Sequence, residues 1–238
     1  MFRNIKESAI FVADSHVNEK NKDNFFLLLQ KIEELNPPQI FFMGDIFDLL
    51  VSEVKSSVDK NIEVIKKMDM IASKIPSYYF EGNHDFSLKS VFKNITVFER
   101  KEQPCYFLYK DIKVALSHGD IWTTKRYEIY INVLQNKTVL RILSFFNKIV
   151  NDFIAKKIQE YNYSKNLCKK IENFENIIKE RVKNYKKNYK DVDMVIEGHF
   201  HQNVELVFDN LRYINLPSFI CGGKYGVFKE GKIVIKSL

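Results

Sequence analysis

Five short turn motifs, each following an apolar run of strand length, constrain this chain more than any other feature. They are Asp14-Ser15-His16, Gly44-Asp45-Ile46-Phe47-Asp48, Gly82-Asn83-His84-Asp85, Ser117-His118-Gly119-Asp120 and Gly198-His199-Phe200-His201. All five histidines of the chain and four of its eight glycines lie in them. Side chains that bind metals or move protons therefore sit where strands end, and in an α/β sheet the loops after neighbouring strands converge on one edge. In an extended segment residues i and i+2 share a face, so Asp14 with His16, and His199 with His201, are expected to chelate as pairs. Mixed imidazole and oxygen donors suit manganese, iron or zinc better than calcium or magnesium. The donors suffice for two ions if one carboxylate bridges, and Asp45 is the candidate. Singly the motifs are weak. Asp-x-His recurs by chance, Gly-Asp-x-x-Asp suits a turn with a helix cap, Gly-Asn-His-Asp suits a turn that needs positive φ, and a lone His118 suits a core. Their joint occurrence is the signal.

The stretches between the motifs read as alternating elements. Residues 8–13, 39–43 and 77–81 are expected as buried strands and 24–35 and 58–74 as helices, the first stopped by Pro37 and Pro38. This β-α-β-α-β order predicts a layered α/β fold with a partly parallel central sheet. Further strands are expected at 95–98, 105–109, 112–117, 194–197, 204–208, 211–215 and 232–236. Two strand-rich halves then form two sheets packed face to face. A length of 238 residues, 45% of them hydrophobic, suits one domain with an insertion. Cys105, Cys168 and Cys221 are far apart and form no CxxC pair, which argues against a disulfide framework and favours a reducing compartment. The apolar run near the start is too short for a signal-peptide core, and no segment reaches the length of a membrane span. A soluble, cytoplasmic protein is expected.

Segment 121–190 differs from the rest: it holds no Gly and no Pro. Val139, Ile142, Leu143, Phe146, Ile149, Val150, Phe153 and Ile154 recur at steps of three and four, as do Ile171, Phe174, Ile178, Val182, Tyr185 and Tyr189. Two long amphipathic helices are expected, inserted between core segments 1–120 and 191–238. The segment carries 16 Lys+Arg against 6 Asp+Glu, whereas the rest of the chain carries 21 against 24, so the whole basic excess lies here. A basic face implies an anionic partner (nucleic acid, an anionic membrane surface or a phosphorylated substrate) unless it is only a solvated helical surface.

The five motifs in this order resemble the calcineurin-like metallophosphoesterase superfamily. The resemblance spans roughly 8–120 and 194–236 and implies a β-sandwich flanked by helices around a two-metal hydrolytic centre. It implies that Asp14, His16 and His201 hold one ion, that Asn83, His118 and His199 hold the other, and that Asp45 bridges. His84 would stand beside the scissile phosphate and Asp85 would orient it. A narrower likeness, carried by Gly44-Asp45-Ile46-Phe47-Asp48, Gly82-Asn83-His84-Asp85-Phe86 and His118-Gly119-Asp120, is to bacterial UDP-2,3-diacylglucosamine pyrophosphatases, which carry a helical cap where segment 121–190 stands here. That likeness implies a manganese enzyme of lipid A biosynthesis, peripheral on the inner membrane, releasing UMP and 2,3-diacylglucosamine 1-phosphate. Tyr127, Lys165 and Lys169 are the expected cap contacts to substrate. This chain departs from that group in having His84 where many members carry Arg, and Asp48 where Glu is frequent. Two other readings stay open. One is a phosphoesterase of another nucleotide, a soluble phosphoester or nucleic acid. The other is a non-catalytic scaffold, against which the filled ligand positions count.

Overall fold

Alternation of side chains along the central strands decides the layering. The computed structural model describes residues 3–150, 152–164, 166–188 and 191–238. In it, Ile10 and Val12 of β2 (Ile10–Val12) join Ile40 and Phe42 of β3 (Ile40–Phe42) against helices α1 (Lys22–Leu35) and α2 (Lys55–Ala72). Phe11 and Phe41 turn to the opposite side. These strands lie in a six-stranded sheet of order β14 (Lys232–Ser237), β13 (Lys224–Lys229), β2, β3, β5 (Ser77–Phe80) and β7 (Ile95–Phe98), in which β2, β3, β5 and β7 run parallel. A second six-stranded sheet has the order β1 (Arg3–Asn4), β8 (Cys105–Tyr109), β9 (Ile112–Ser117), β10 (Met194–Glu197), β12 (Leu211–Asn215) and β11 (Val204–Phe208), with β9, β10 and β12 parallel. A short parallel ribbon joins β4 (Leu50–Val51) to β6 (Asp85–Phe86).

The two sheets face one another across an aromatic layer. Phe41 is its centre: it stacks on Phe11 at 4.5 Å and on Tyr78 at 5.0 Å, and meets Phe107 of the second sheet edge-on at 5.4 Å. Helix α6 (Phe174–Asn188) covers the outer face of the second sheet, laying Phe174, Ile178, Val182 and Tyr185 on Ala115, Val195 and Tyr213. The layered α/β fold with sheets face to face is as the sequence predicts.

Segment 121–190 corrects the expectation of two long helices. Among its described residues it holds four: α3 (Lys125–Leu134), α4 (Lys137–Ile149), α5 (Phe153–Ser164) and α6. With no Gly or Pro to punctuate the segment, Asn and Asp do so, because they tolerate positive φ and cap exposed N–H groups. Asn136 Oδ1 accepts from the N–H groups of Thr138 and Val139, and Asp152 and Asn173 have φ of 60° and 55°. Tyr189 lies outside the described residues. Strand β13 also escaped the sequence reading, since Gly226 interrupts its apolar pattern; there a Cβ would stand 2.7 Å from Ile233 on β14.

A second correction concerns the cysteines. Cys168 and Cys221 form a disulfide across 53 residues of sequence. The fold lays the segment before α6 over the loop after β12, a proximity that spacing could not reveal. Cys105 is free. Among the described residues no helix is long and apolar enough to cross a membrane.

Phe41 is fully buried at the centre of the sandwich. Phe41→Ala is expected to lower unfolding stability by about 3–5 kcal/mol, the sum of lost transfer energy and an unfilled cavity. Chemical denaturation measures this, and a loss below ~1 kcal/mol would contradict the packing described.

Candidate metal centre

Asp14 and His16 follow β2, Asp45 and Asp48 follow β3, Asn83 and His84 follow β5, His118 follows β9, and His199 and His201 follow β10. All five are parallel strands within their sheets, so their C-terminal ends open on a common edge. The loops there are not extended. Asp14, His16, Asp45, His199 and His201 all have positive φ, between 42° and 63°, a region that non-glycine residues occupy at a cost and that clusters at functional sites.

The structure corrects the expected pairing of His199 with His201. The two histidines part company: His201 joins Asp14 and His16, while His199 joins Asp45 and His118, the donor atoms of each trio lying within 4.8 Å of one another. Asp14 and His16 do share a trio, as expected. A third trio, His16 with Asp48 and His84, borders the first. Two glycines are the space these donors occupy. A Cβ on Gly44 would stand 2.3 Å from His118 Nδ1, and one on Gly82 would stand 2.2 Å from Asp45 Oδ1.

The donors are set up for a cation. His118 Nδ1–H donates to the Met43 carbonyl at 2.9 Å and His201 Nδ1–H to the Leu167 carbonyl at 2.7 Å, which leaves each Nε2 toward the cluster. Nε2 of His118 lies 3.4 Å from Asp45 Oδ2, and Nε2 of His201 lies 3.2 Å from Asp14 Oδ1. Both ring nitrogens of His16 and Oδ1 of Asn83 are buried with no hydrogen-bond partner, a state that costs about 1–3 kcal/mol per group unless something else satisfies it. Burial pushes His16 and His199 down to about 3, so both are neutral near pH 7 with lone pairs to give. Burial opposes charge on His118 and His201 too, but Asp45 and Asp14 beside them outweigh it and raise both. Burial in turn would raise Asp14 and Asp45, yet the facing histidines hold them low. These residues fit divalent ions, which would take the place of the two shared protons.

Asp85 plays a different part from the one expected. Its Oδ1 accepts from the N–H groups of Asp45 and Gly82 at 3.0 Å each, and its Oδ2 accepts from Phe47 N–H at 3.0 Å and from the Tyr79 hydroxyl at 2.5 Å. With both oxygens so engaged, Asp85 holds the Asp45 loop rather than the His84 ring. Burial and the nearby Asp45 charge push it up to about 7, while the donors from Tyr79 and Phe47 pull the other way. The His84 ring is fixed instead by the Asp48 carbonyl, 2.9 Å from Nδ1.

Two cavities meet at this edge. One, of about 380 Å³, has His16, His84, His199, His201 and Asp45 on its walls, with Lys169 among the lining residues. The other, of about 420 Å³, is an apolar groove between the body and helices α3 to α5, lined by Val51, Phe86, Tyr127, Ile131, Leu140 and Leu143 among others. Asn83 and His84 line both. Lys169 lines the first and Tyr127 the second, and the Tyr127 hydroxyl is buried without a hydrogen-bond partner. Lys165 lies outside the described residues.

Sequence reasoning missed the buried residues behind the ligands. Glu197, immediately before Gly198, accepts from Arg181 Nε and Nη2 at 2.7 Å each and from Tyr213 at 2.7 Å, docking α6 beneath the His199 turn. Arg100 binds Asp120 of the His-Gly-Asp motif at 2.6 Å and Glu128 of α3 at 2.9 Å. Asp120 stood in a quoted motif, but its distant partners carry no local signal.

The family model for calcineurin-like phosphoesterases matches residues 8–203. The UDP-2,3-diacylglucosamine hydrolase of Coxiella burnetii (strain RSA 331) is 24% identical over 197 residues, covering 81% of this chain and 80% of that protein. The enzyme of the same name from Vibrio atlanticus is 23% identical over 201 residues, covering 81% and 80%. Among solved structures, an archaeal phosphodiesterase superimposes with a TM-score of 0.52 at 13% identity, covering 97% of this chain and 99% of that one. A dimetal phosphatase from Danio rerio gives 0.51 at 11% identity, covering 97% and 95%. These two structural likenesses speak for the fold.

Because His118 and His201 are raised above their ordinary value, their ion pairs stabilise the ion-free protein fully below about pH 6.5. That contribution is lost as pH rises through the raised values. Bound ions must expel the same protons, so Mn²⁺ affinity should rise between about pH 6 and 8 with proton release to buffer, measured by titration calorimetry. A pH-independent affinity without proton release would contradict this electrostatic arrangement. Gly82→Ala, which drives a methyl into Asp45, should cut Mn²⁺ affinity by about 10–100-fold, the usual cost of disturbing a ligand's support. Wild-type affinity in that variant would contradict the packing.

Proposed function

The chain belongs to the calcineurin-like phosphoesterase family and is a metal-dependent hydrolase, and from that premise we propose that it cleaves the pyrophosphate of UDP-2,3-diacylglucosamine. One P–O bond of the anhydride breaks, water adds across it, and UMP and 2,3-diacylglucosamine 1-phosphate leave with one phosphate each. The observation that carries this reading is the junction of the apolar groove with the donor-lined cavity at Asn83 and His84. A substrate with two acyl chains on one side of a pyrophosphate and a nucleoside on the other needs that combination. The names of the relatives at 23–24% identity point the same way.

The family resemblance suggests the roles, and the two separate trios support the split. Asp14, His16 and His201 would hold one ion, and Asn83, His118 and His199 the other, with Asp45 shared. When bound, two divalent ions neutralise phosphate charge and acidify the attacking water; manganese suits the donor set best, with iron or zinc as alternatives. His84 keeps Nδ1–H on the Asp48 carbonyl, which leaves Nε2 to meet a phosphoryl oxygen or the leaving oxygen. Its backbone N–H donates to Asp45 Oδ1 at 2.8 Å, so ring and ligand share one register. Lys169 at the cavity supplies a cation for the phosphates, and the Tyr127 hydroxyl supplies a polar contact at the mouth of the groove.

Helices α3 to α6, within segment 121–190, act on this reading as an inserted cap on a body formed by 1–120 and 191–238. Phe145, Phe146 and Ile149 of α4 and Phe153 of α5 are more than half exposed, within the segment that carries the basic excess. Exposed apolar side chains within a basic segment suit an anionic lipid surface better than a nucleic-acid backbone. On this reading the enzyme works at an anionic membrane surface, where a substrate with acyl chains resides.

With Mn²⁺ present, kcat/KM for UDP-2,3-diacylglucosamine should exceed that for bis(p-nitrophenyl) phosphate by at least about 100-fold, as apolar contact is used in the transition state. Equal values would overturn the lipid assignment. Leu143→Asp, on the groove wall, should raise KM for the lipid about tenfold, ~1.4 kcal/mol of lost apolar contact, and leave the small diester unaffected. An unchanged lipid KM would remove the groove from the account.

A further inference from the structure

Helix α5 reaches the site through the buried amide of Asn162. Asn162, 5% exposed, places Nδ2 3.2 Å from the Asp48 carbonyl oxygen and 3.2 Å from His84 Nδ1. His84 Nδ1 lies 2.9 Å from the same carbonyl. Proton accounting leaves one good arrangement. A carbonyl oxygen accepts only, and it has two lone pairs; an amide NH₂ donates only. The Asp48 carbonyl therefore receives both the Nδ1–H of His84 and an Nδ2–H of Asn162. Flipping the amide would set its oxygen against the carbonyl oxygen, two acceptors with no proton between them. The contact between Asn162 and the ring is thus the approach of two donors to one shared acceptor.

We infer that Asn162 is a positioning residue for His84: it holds the carbonyl that holds the imidazole, so a helix of segment 121–190 decides where Nε2 points. This rests on the reading that His84 meets the scissile phosphate. The placement of Asn162 in the fold strengthens it. The side chain lines the apolar groove beside His84, and it also lines a second cavity, of about 380 Å³, beside Asn18, Lys20 and Leu167. It is therefore part of the wall between the groove and the body, and a chain seated in the groove bears on the helix that registers the histidine. Occupancy of the groove and the aim of the reacting side chain are coupled through one amide.

A double-mutant cycle tests this, run with Mn²⁺ on both UDP-2,3-diacylglucosamine and bis(p-nitrophenyl) phosphate. Asn162→Ala should lower kcat about tenfold on whichever substrate the wild type turns over, part of the 10²–10⁴-fold a positioned acid–base group supplies, with KM changed less than about twofold. Asn162→Asp keeps the volume but loses the donor, so it should fall as far as the alanine variant; it also carries the comparison should the alanine variant melt early. In a His84→Ala background either change should cost less than about twofold more, because residues acting through one another are not additive. A full tenfold loss in that background, or a change confined to the KM of the lipid, would overturn the positioning role in favour of a structural one. A His84→Ala enzyme as active as wild type would instead remove the role of His84 and this inference with it. Turnover of the diester alone would remove only the lipid assignment.

Discussion

The costliest feature of the molecule is the removal of Asp14 and Asp45 from water at one sheet edge; both are 2% exposed or less. Isolated buried carboxylates would be untenable, so each faces an imidazole: His201 for Asp14 and His118 for Asp45. A proton satisfies such a pair only partly, because His16 and Asn83 remain unpartnered beside it. Two divalent ions, one at each trio, would satisfy them. The positive φ at five donor residues and the missing Cβ atoms at Gly44 and Gly82 are the strain and space accepted to bring these groups within reach. The outer partners, Met43, Leu167 and the four donors on Asp85, then fix each ligand in one orientation.

Much of this was legible in the sequence. Each motif follows an apolar run whose alternation could be read directly, as with Ile10, Phe11 and Val12, and a strand end is a definite place in an α/β fold. The residues brought together are those whose chemistry marked them. What failed did so where distant chain segments decide the outcome. His199 and His201, two residues apart, go to different trios, which no alternation rule foresees. Asp85 looked like a partner for its neighbour His84, but tertiary folding wraps the loop 44–47 around it. The breaks among helices α3 to α6 come from Asn136, Asp152 and Asn173, residues that in sequence read as ordinary helical polar positions. Cys168 and Cys221 are joined by topology alone.

Among the described residues, three contacts behind motif residues stand out in tying segment 121–190 to the body. Arg181 and Glu197 lock α6 under the His199 turn, Arg100 links Glu128 of α3 to Asp120, and Asn162 of α5 reaches the carbonyl that orients His84. The Cys168–Cys221 disulfide adds a fourth tie, next to Leu167, whose carbonyl holds His201. Sequence that looks like an addition to the fold is thus wired into the donors themselves. This explains how an apolar groove built largely by the added helices can open on the same two residues, Asn83 and His84, as the polar cavity.

Anomalous diffraction from crystals grown with Mn²⁺ addresses the central claim most directly. The account requires two peaks: one in contact with Asp14, His16 and His201, the other with Asn83, His118 and His199, and a carboxylate oxygen of Asp45 within reach of both. A single peak, or density among His16, Asp48 and His84 with the Asp45 cluster left without an ion, would contradict it.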